Sequence, residues 1–446
     1  MRKKSVYIET FGCQMNVADS ERAATRLRSA GYELAGSSEA ADVVIFNTCS
    51  VREKAERKVF HRIEQVRRGA DRQPLIGVMG CVAQLEGRAV FDGAPSVSVV
   101  IGTGATDRIP ELLERIEDGE ERVFDLEARR DSEVWDVSPS ERRSKYVAFV
   151  PVIEGCNKFC TYCIVPYSRG RERSRHASDI IGEVKKLLGL GYREVQLIGQ
   201  NVNSYRPKAD EGLEKFRGAT PFSRLLRAVA STGMPRIKFT TSFPRDFHRD
   251  IVSAIEENEN LCNWVHLPVQ SGSDAVLRAM RRGHTVEDYL RRVDAIKSAR
   301  RKISLTSDII VGFPGETVED FEDTLGLVGR CRFEGLYIFK YSERRGTPAA
   351  SLEDSVSASE KTKRFMALER LQACIQEEVY RSYVGAEVSV LVEGASARAS
   401  SDVKGHTTCN KVVNFRGSPG LAGRLVRVRV TLAKPHSLYG EFLGAA

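Results

Sequence analysis

Three cysteines, Cys156, Cys160 and Cys163, stand at C-x3-C-x2-C spacing within eight residues. Three thiolates so placed can hold three corners of an iron–sulfur cube. No fourth cysteine follows at short spacing. Electron-carrying ferredoxin clusters use four thiolates, so a set of three leaves one iron open to a substrate or cofactor and points to chemistry rather than electron storage. The competing readings are a zinc site or three buried thiols. A zinc ribbon would want a second C-x2-C pair, which the chain lacks. Cys156 also follows a strand-like run, Val147–Ile153, and reactive groups of parallel α/β folds gather where strands end.

The strand ends extend the argument. In the first 125 or so residues, Ser5–Phe11, Asp42–Asn47 and Leu75–Met79 read as short buried strands. Helices are expected between them at Asp19–Ala30, closed by Gly31, and at Val51–Arg68. This alternation implies a parallel α/β sheet. Cys13, Cys49 and Cys81 each fall one or two residues past one of these strands. In a parallel sheet those ends share an edge, so the three would converge into a second three-thiolate site. Each one alone could be an ordinary small buried residue.

The stretch 127–145 is charged and poor in apolar residues and reads as a linker. From Tyr146 the pattern restarts, with strands expected at Val147–Ile153, Glu194–Ile198, Arg236–Thr241, Trp264–Leu267, Ser304–Val311 and Leu336–Tyr341. Six βα units predict an open or partial barrel, smaller than the eight-stranded form. A long helix, Ser359–Tyr380, closes it, and the polar run Asn203–Thr220 reads as a mobile loop. Beyond Gly385, alternating strands at Glu387–Val392, Lys411–Phe415 and Leu425–Leu432 predict a small β-barrel of OB type, a fold that often takes single-stranded nucleic acid. The expected division is 1–126, a linker at 127–145, 146–380 and 381–446.

No apolar run approaches the roughly 18 residues of a membrane span. The basic start is followed by too short an apolar stretch for a signal peptide, so a cytoplasmic location is expected. There, ten cysteines suit ligands or thiols better than disulfides. Cys262, Cys331, Cys374 and Cys409 lack ligand-like spacing and read as free thiols. The net charge of +8 lies beyond the N-terminal part, which permits nucleic acid without demanding it.

The two triplets together resemble the methylthiotransferase branch of the radical S-adenosylmethionine (SAM) enzymes, over nearly the whole chain. Gly12-Cys13-Gln14-Met15-Asn16, the segment Asn47 to Ala55, and Gly80 to Gln84 look like that family's auxiliary-cluster domain. Gly155 to Gly170, Leu197 to Asn203, His266 to Gly272, and Ser307 to Glu316 look like its radical SAM domain. Asn410 to Phe415 resembles its RNA-binding TRAM domain. The residues after Cys13 and Cys49 resemble the members that act on N6-isopentenyladenosine at position 37 of tRNA. The relatives that modify threonylcarbamoyladenosine or a ribosomal-protein aspartate differ there. One departure is Phe243, where histidine would be expected.

The resemblance implies methylthiolation of carbon 2 of that adenine, with two 4Fe–4S clusters and two SAM molecules. SAM would chelate the open iron on Cys156, Cys160 and Cys163 and yield a 5′-deoxyadenosyl radical. The cluster on Cys13, Cys49 and Cys81 would carry the sulfur. Gln200, Asn201, Gln270 and Gly312, at expected strand ends, are candidates to hold SAM, and each could equally be a structural loop residue. Arg169, Arg171, Arg173 and Arg175 could meet tRNA phosphates or the SAM carboxylate, or simply form a solvated basic turn. The implied partners are a tRNA anticodon stem-loop, a reductant such as flavodoxin or ferredoxin, and an unidentified sulfur donor, with the chain a monomer and no membrane involved. The rival outside enzymes is an iron–sulfur RNA-binding or redox-sensing protein.

Overall fold

The computed structural model describes residues 3–50, 53–69, 73–129, 135–396, 399 and 401–446, without the side chains of 53–58. The start of the helix expected at 51–68, residues 51 and 52 of the motif after Cys49, and 130–134 of the expected linker lie outside the described residues.

The chain divides into two compact units. The first comprises residues 1–144, 154–157 and 164–172, and the second residues 145–153, 158–163 and 173–446. The loop carrying Cys156, Cys160 and Cys163 passes from one to the other.

The first unit is built on six parallel strands: β1 (Ser5–Thr10), β2 (Glu33–Leu34), β3 (Val43–Thr48), β4 (Leu75–Gly80), β5 (Val97–Ile101) and β6 (Val123–Asp125). Their order is β2-β1-β3-β4-β5-β6. All three expected strands form, adjacent and parallel, with Thr10 opposite Asn47 and Thr48 opposite Gly80. β3 is buried along its whole length, as befits a central parallel strand covered on both faces. Val44, Phe46 and Val78 pack on one face, and Val43, Ile45 and Met79 on the other. The helix expected at Asp19–Ala30 starts earlier, at Gln14, with Cys13 as its cap.

At residues 138–143 the stretch read as a linker is tied down. Arg142 lies 3.7 Å from Glu21, the Arg143 amide donates to Glu21, and the Ser138 amide donates to Thr25. Its charged side chains answer charges on the helix Gln14–Ser29, a match that composition alone hides.

In the second unit, β7 (Val147–Pro151) precedes two two-residue strands that flank the cysteine loop, β8 (Ile153–Glu154) and β9 (Arg173–Ser174). The barrel continues through β10 (Glu194–Ile198), β11 (Arg236–Phe239), β12 (Trp264–His266), β13 (Ser304–Val311) and β14 (Gly335–Lys340). Parallel pairing runs β7-β10-β11 and β12-β13-β14, with a bridge between Ile237 and Leu261 joining the two sheets. Among the described residues β7 and β14 have no outer partner, so this is the open six-stranded barrel expected. Val195, Leu197, Ile237, Phe239, Val265 and Leu305 point outward into one apolar core with the helices. The run Asn203–Thr220 is anchored rather than loose: Tyr205 and Leu213 are fully buried, and the Tyr205 hydroxyl donates to the Arg175 carbonyl.

The helix Ala358–Arg381 leads into a closed barrel of β15 (Glu387–Ala395), β16 (Asp402–Thr407), β17 (Val412–Arg416), β18 (Leu425–Lys434) and β19 (Ser437–Ala445). β16 and β19 were not expected. β16 contains Gly405 within a polar run, and β19 carries Gly440 and Gly444, so neither shows clean alternation.

Candidate metal centres

In the first unit the strand ends assemble one thiol triplet. Cys13 follows β1 and caps a helix, Cys49 immediately follows β3, and Cys81 opens the helix after β4. Because Thr48 pairs with Gly80, Cys49 and Cys81 leave the sheet side by side. Two buried asparagines pin this edge. Asn16 donates to Asn47 Oδ1 and to the Thr48 carbonyl, while Asn47 donates to the Asn16 carbonyl and to Ser20. Asn16 Oδ1 in turn lies 3.3 Å from Cys13 Sγ. A Cβ on Gly12 would stand 2.7 Å from that of Cys49, and one on Gly80 would stand 2.5 Å from Asn47 Oδ1. Both glycines also hold positive φ, so backbone and space alike exclude a side chain. Cys49 and Cys81 are buried and Cys13 is exposed.

Charge favours thiolates here. The Cys13 thiol is drawn down to about 5, chiefly by its hydrogen bond with Cys49 and then by the Arg169 guanidinium. Arg169 is buried, donates to Asp19 Oδ2 at 2.7 Å and feels the charge of Cys81 as well as Cys13. Arg169 is thus turned toward Asp19 and the thiols rather than presented to solvent. Arg175 donates to the Pro151 carbonyl and pairs with Glu183, whereas Arg171 and Arg173 are exposed.

In the other triplet, Cys156 belongs to the first unit and donates its amide to the Gly170 carbonyl. Gly155 before it has φ +78, and a Cβ there would stand 2.1 Å from the Arg171 carbonyl oxygen. Cys160 and Cys163 belong to the second unit. The Cys163 amide donates to the Cys160 carbonyl, and Thr161 is held at both ends, to Met280 and to Ala349. Arg282, which sequence reasoning passed over, donates to Cys160 Sγ at 3.4 Å, to the Tyr162 hydroxyl and to the Pro268 carbonyl.

Among the described residues no three His, Cys, Asp or Glu side chains gather closely enough for a single metal ion. A cubane spreads its thiolates over separate irons and does not require such closeness. Soft sulfur donors, with Arg169 beside Cys13 and Cys81 and Arg282 beside Cys160, fit iron–sulfur ligation.

The expected SAM contacts all lie beyond barrel strand ends. Gln200 and Asn201 follow β10, and Asn201 is buried. Gln270 is buried with φ +83, and its Oε1 has no protein partner. Ser242, missed in the sequence, likewise has a buried Oγ without a partner. Two such orphans at one type of position suit a polar ligand. Gly312 differs: its amide donates to Glu316 at 2.6 Å and its Cβ position is filled by the Lys361 stem, so its conformation serves internal packing. Cys262 and Cys331 are buried, with burial pushing both thiols up, and Cys331 reaches about 12. Cys409 is buried and Cys374 exposed.

Known proteins match these regions in order. Residues 5–102 match the uncharacterized protein family UPF0004, 150–328 the Radical SAM superfamily and 381–443 the TRAM domain. The tRNA-2-methylthio-N(6)-dimethylallyladenosine synthase of Solibacter usitatus is 46% identical over 443 residues, covering 98% of each chain. That of Koribacter versatilis is 43% identical over 446 residues, covering 99% of this chain and 98% of the relative. In fold alone the chain is similar to the radical SAM methyltransferase TsrM from Kitasatospora setae, with TM-score 0.57 at 13% identity, covering 90% of this chain and 78% of that one. With conserved length, shared domain order and such identity, the chain belongs to the tRNA-2-methylthio-N(6)-dimethylallyladenosine synthase family of radical SAM enzymes.

Proposed function

We propose that this protein methylthiolates carbon 2 of N6-isopentenyladenosine at position 37 of tRNA, using two SAM molecules and two 4Fe–4S clusters. As a radical SAM protein it uses SAM and a 4Fe–4S cluster. The observation that carries the fuller reading is the second triplet: Cys13, Cys49 and Cys81 sit beside one another on one sheet edge, locked by Asn16 and Asn47 and faced by Arg169. When bound, SAM with its cluster supplies a radical able to break an unactivated C–H bond, and the second cluster supplies sulfur.

The chain's own residues bind and shield. Cys156, Cys160 and Cys163 would hold the SAM-binding cluster. Gln270 and Ser242 offer unsatisfied polar atoms to SAM, with Gln200 and Asn201 at the neighbouring strand end. Arg169 and Arg282 provide positive charge beside sulfur. On the C-terminal barrel, Lys404, Arg416, Arg427 and Arg429 point outward, and Phe442 exposes a ring stacked on Phe415. Basic residues interleaved with an exposed aromatic suit a single-stranded RNA loop. The division at 126, 145 and 380, a monomeric cytoplasmic protein, and a flavodoxin or ferredoxin as reductant complete the proposal. No helix among the described residues is long and apolar enough to cross a membrane.

Mass spectrometry of tRNA nucleosides tests the reading. A deletion strain should lose 2-methylthio-N6-isopentenyladenosine and accumulate N6-isopentenyladenosine, and the gene should restore the former. Persistence of the modified base, or loss instead of methylthiolated threonylcarbamoyladenosine or ribosomal-protein aspartate, overturns it.

A further inference from the structure

Arg282 is 4% exposed, yet among the described residues no carboxylate pairs with it. Its Nη1 points at Cys160 Sγ, its Nη2 is spent on the Pro268 carbonyl at 2.7 Å, and its Nε has no partner. A buried cation without a counter-charge is costly. The groups that can balance it are the cysteine sulfurs.

Phe243 fixes the guanidinium in place. Its ring is 2% exposed, and the Arg282 guanidinium carbon stands 4.5 Å from the ring centroid. Lys158 and Arg245 approach the same ring at 5.4 and 5.5 Å, and both pair with Asp246. The Phe243 backbone is clamped at both its amide and its carbonyl by Asn203. The negative face of the phenyl ring attracts the guanidinium without bringing a charge of its own.

We propose that Arg282, seated on Phe243, raises the reduction potential of the cluster held by Cys156, Cys160 and Cys163. This rests on the reading that those cysteines hold a 4Fe–4S cluster. One-electron reduction adds one negative charge to the cluster, and a fixed cation hydrogen-bonded to a ligand sulfur stabilises the reduced form more than the oxidised one. Arg282 is a tuning residue acting through Cys160, and Phe243 positions it.

The test is an EPR-monitored potentiometric titration of the full-length protein, without SAM, in a Cys13→Ala, Cys49→Ala, Cys81→Ala background that leaves one cluster. Arg282→Met should lower the midpoint potential by about 59 mV, a tenfold loss in the one-electron reduction constant. Arg282→Lys keeps a charge but cannot hold Cys160 and Pro268 together, and should lower it less. Variants that hold iron and titrate at the parent's potential overturn the inference. If Arg282→Met fails to hold iron, Arg282→Lys decides, and an unshifted potential there overturns it too. A parent background that binds no iron overturns the underlying cluster reading instead.

Discussion

Glu194 and His406 meet although 212 positions separate them: His406 Nε2 lies 2.9 Å from Glu194 Oε2, with both side chains buried. The other ring nitrogen lies 2.7 Å from Glu393. Arg236 pairs with Glu194 and donates to the carbonyls of His406 and Thr407. Lys238 reaches Asn410, and Lys411 reaches Glu334. Glu194, Arg236 and Glu334 all stand at or just before the starts of barrel strands. The segment joining β16 to β17 therefore covers the end of the six-stranded barrel away from Cys160 and Cys163.

This link makes stability depend on pH. Burial works against charge on His406, but the hydrogen bonds to Glu194 and Glu393 outweigh it and raise its pKa above 6.5. Its contribution is full below 6.5 and is lost as pH rises through the raised value. Glu194 moves the other way, to about 2 from 4.5: burial opposes the charge, and His406 and Arg236 overcome it. Its contribution holds above 4.5 and is lost as pH falls toward 2. The free energy of unfolding should therefore fall as pH rises beyond about 6.5, by at most about 1.4 kcal/mol per pH unit, as read from denaturant titrations. His406→Gln should flatten that slope and, by leaving buried charges unbalanced, cost about 3 kcal/mol. An unchanged alkaline slope in the variant would remove His406 from the account.

Asn47→Ala should empty the first unit's centre while leaving the other. It deletes the amide that holds Asn16 and Ser20 at the strand edge, at a cost of about 1–3 kcal/mol for the buried groups left unpaired. Iron per reconstituted chain should drop by about half, one cluster of two. Full iron content would show that the amide network does not support the ligands.

Cys49→Ala should retain SAM cleavage to 5′-deoxyadenosine and abolish methylthiolation, read by chromatography of both products in one assay. Loss of both activities in a folded variant would argue against separate roles for the triplets.

Gln270→Gly separates binding from folding. Glycine accepts the positive φ that glutamine holds under strain, so stability should stay the same or rise. The buried Oε1 disappears with the side chain, and SAM affinity measured by equilibrium dialysis should weaken about tenfold, the worth of one good hydrogen bond. Equal affinity would exclude Gln270 from the SAM site.

Much of this protein was legible along the chain because its signals are local. Val- and Ile-rich strands each followed by a cysteine located the edge carrying Cys13, Cys49 and Cys81, since parallel strands must end on one edge. The cysteine spacing at 156–163 bounded the chemistry. Gly12, Gly80 and Gly155 are also local in origin, but the Asn47, Thr48, Cys49 and Arg171 atoms that forbid a side chain at them come from elsewhere in the chain.

What the sequence by itself determined was the strands that lead into both cysteine sets and the open six-stranded barrel, because hydrophobic period and ligand spacing are properties of neighbouring residues. Only the tertiary structure decided what charged residues do. Arg169 could have met a phosphate, the SAM carboxylate or solvent, and is buried against Asp19. Arg282 carried no signal and faces Cys160. The stretch 127–145 looked like a linker, yet its Arg142 and Arg143 hold Glu21. A charge reads the same in any sequence, and whether it is solvated, paired or aimed at a ligand depends on partners tens to hundreds of residues away.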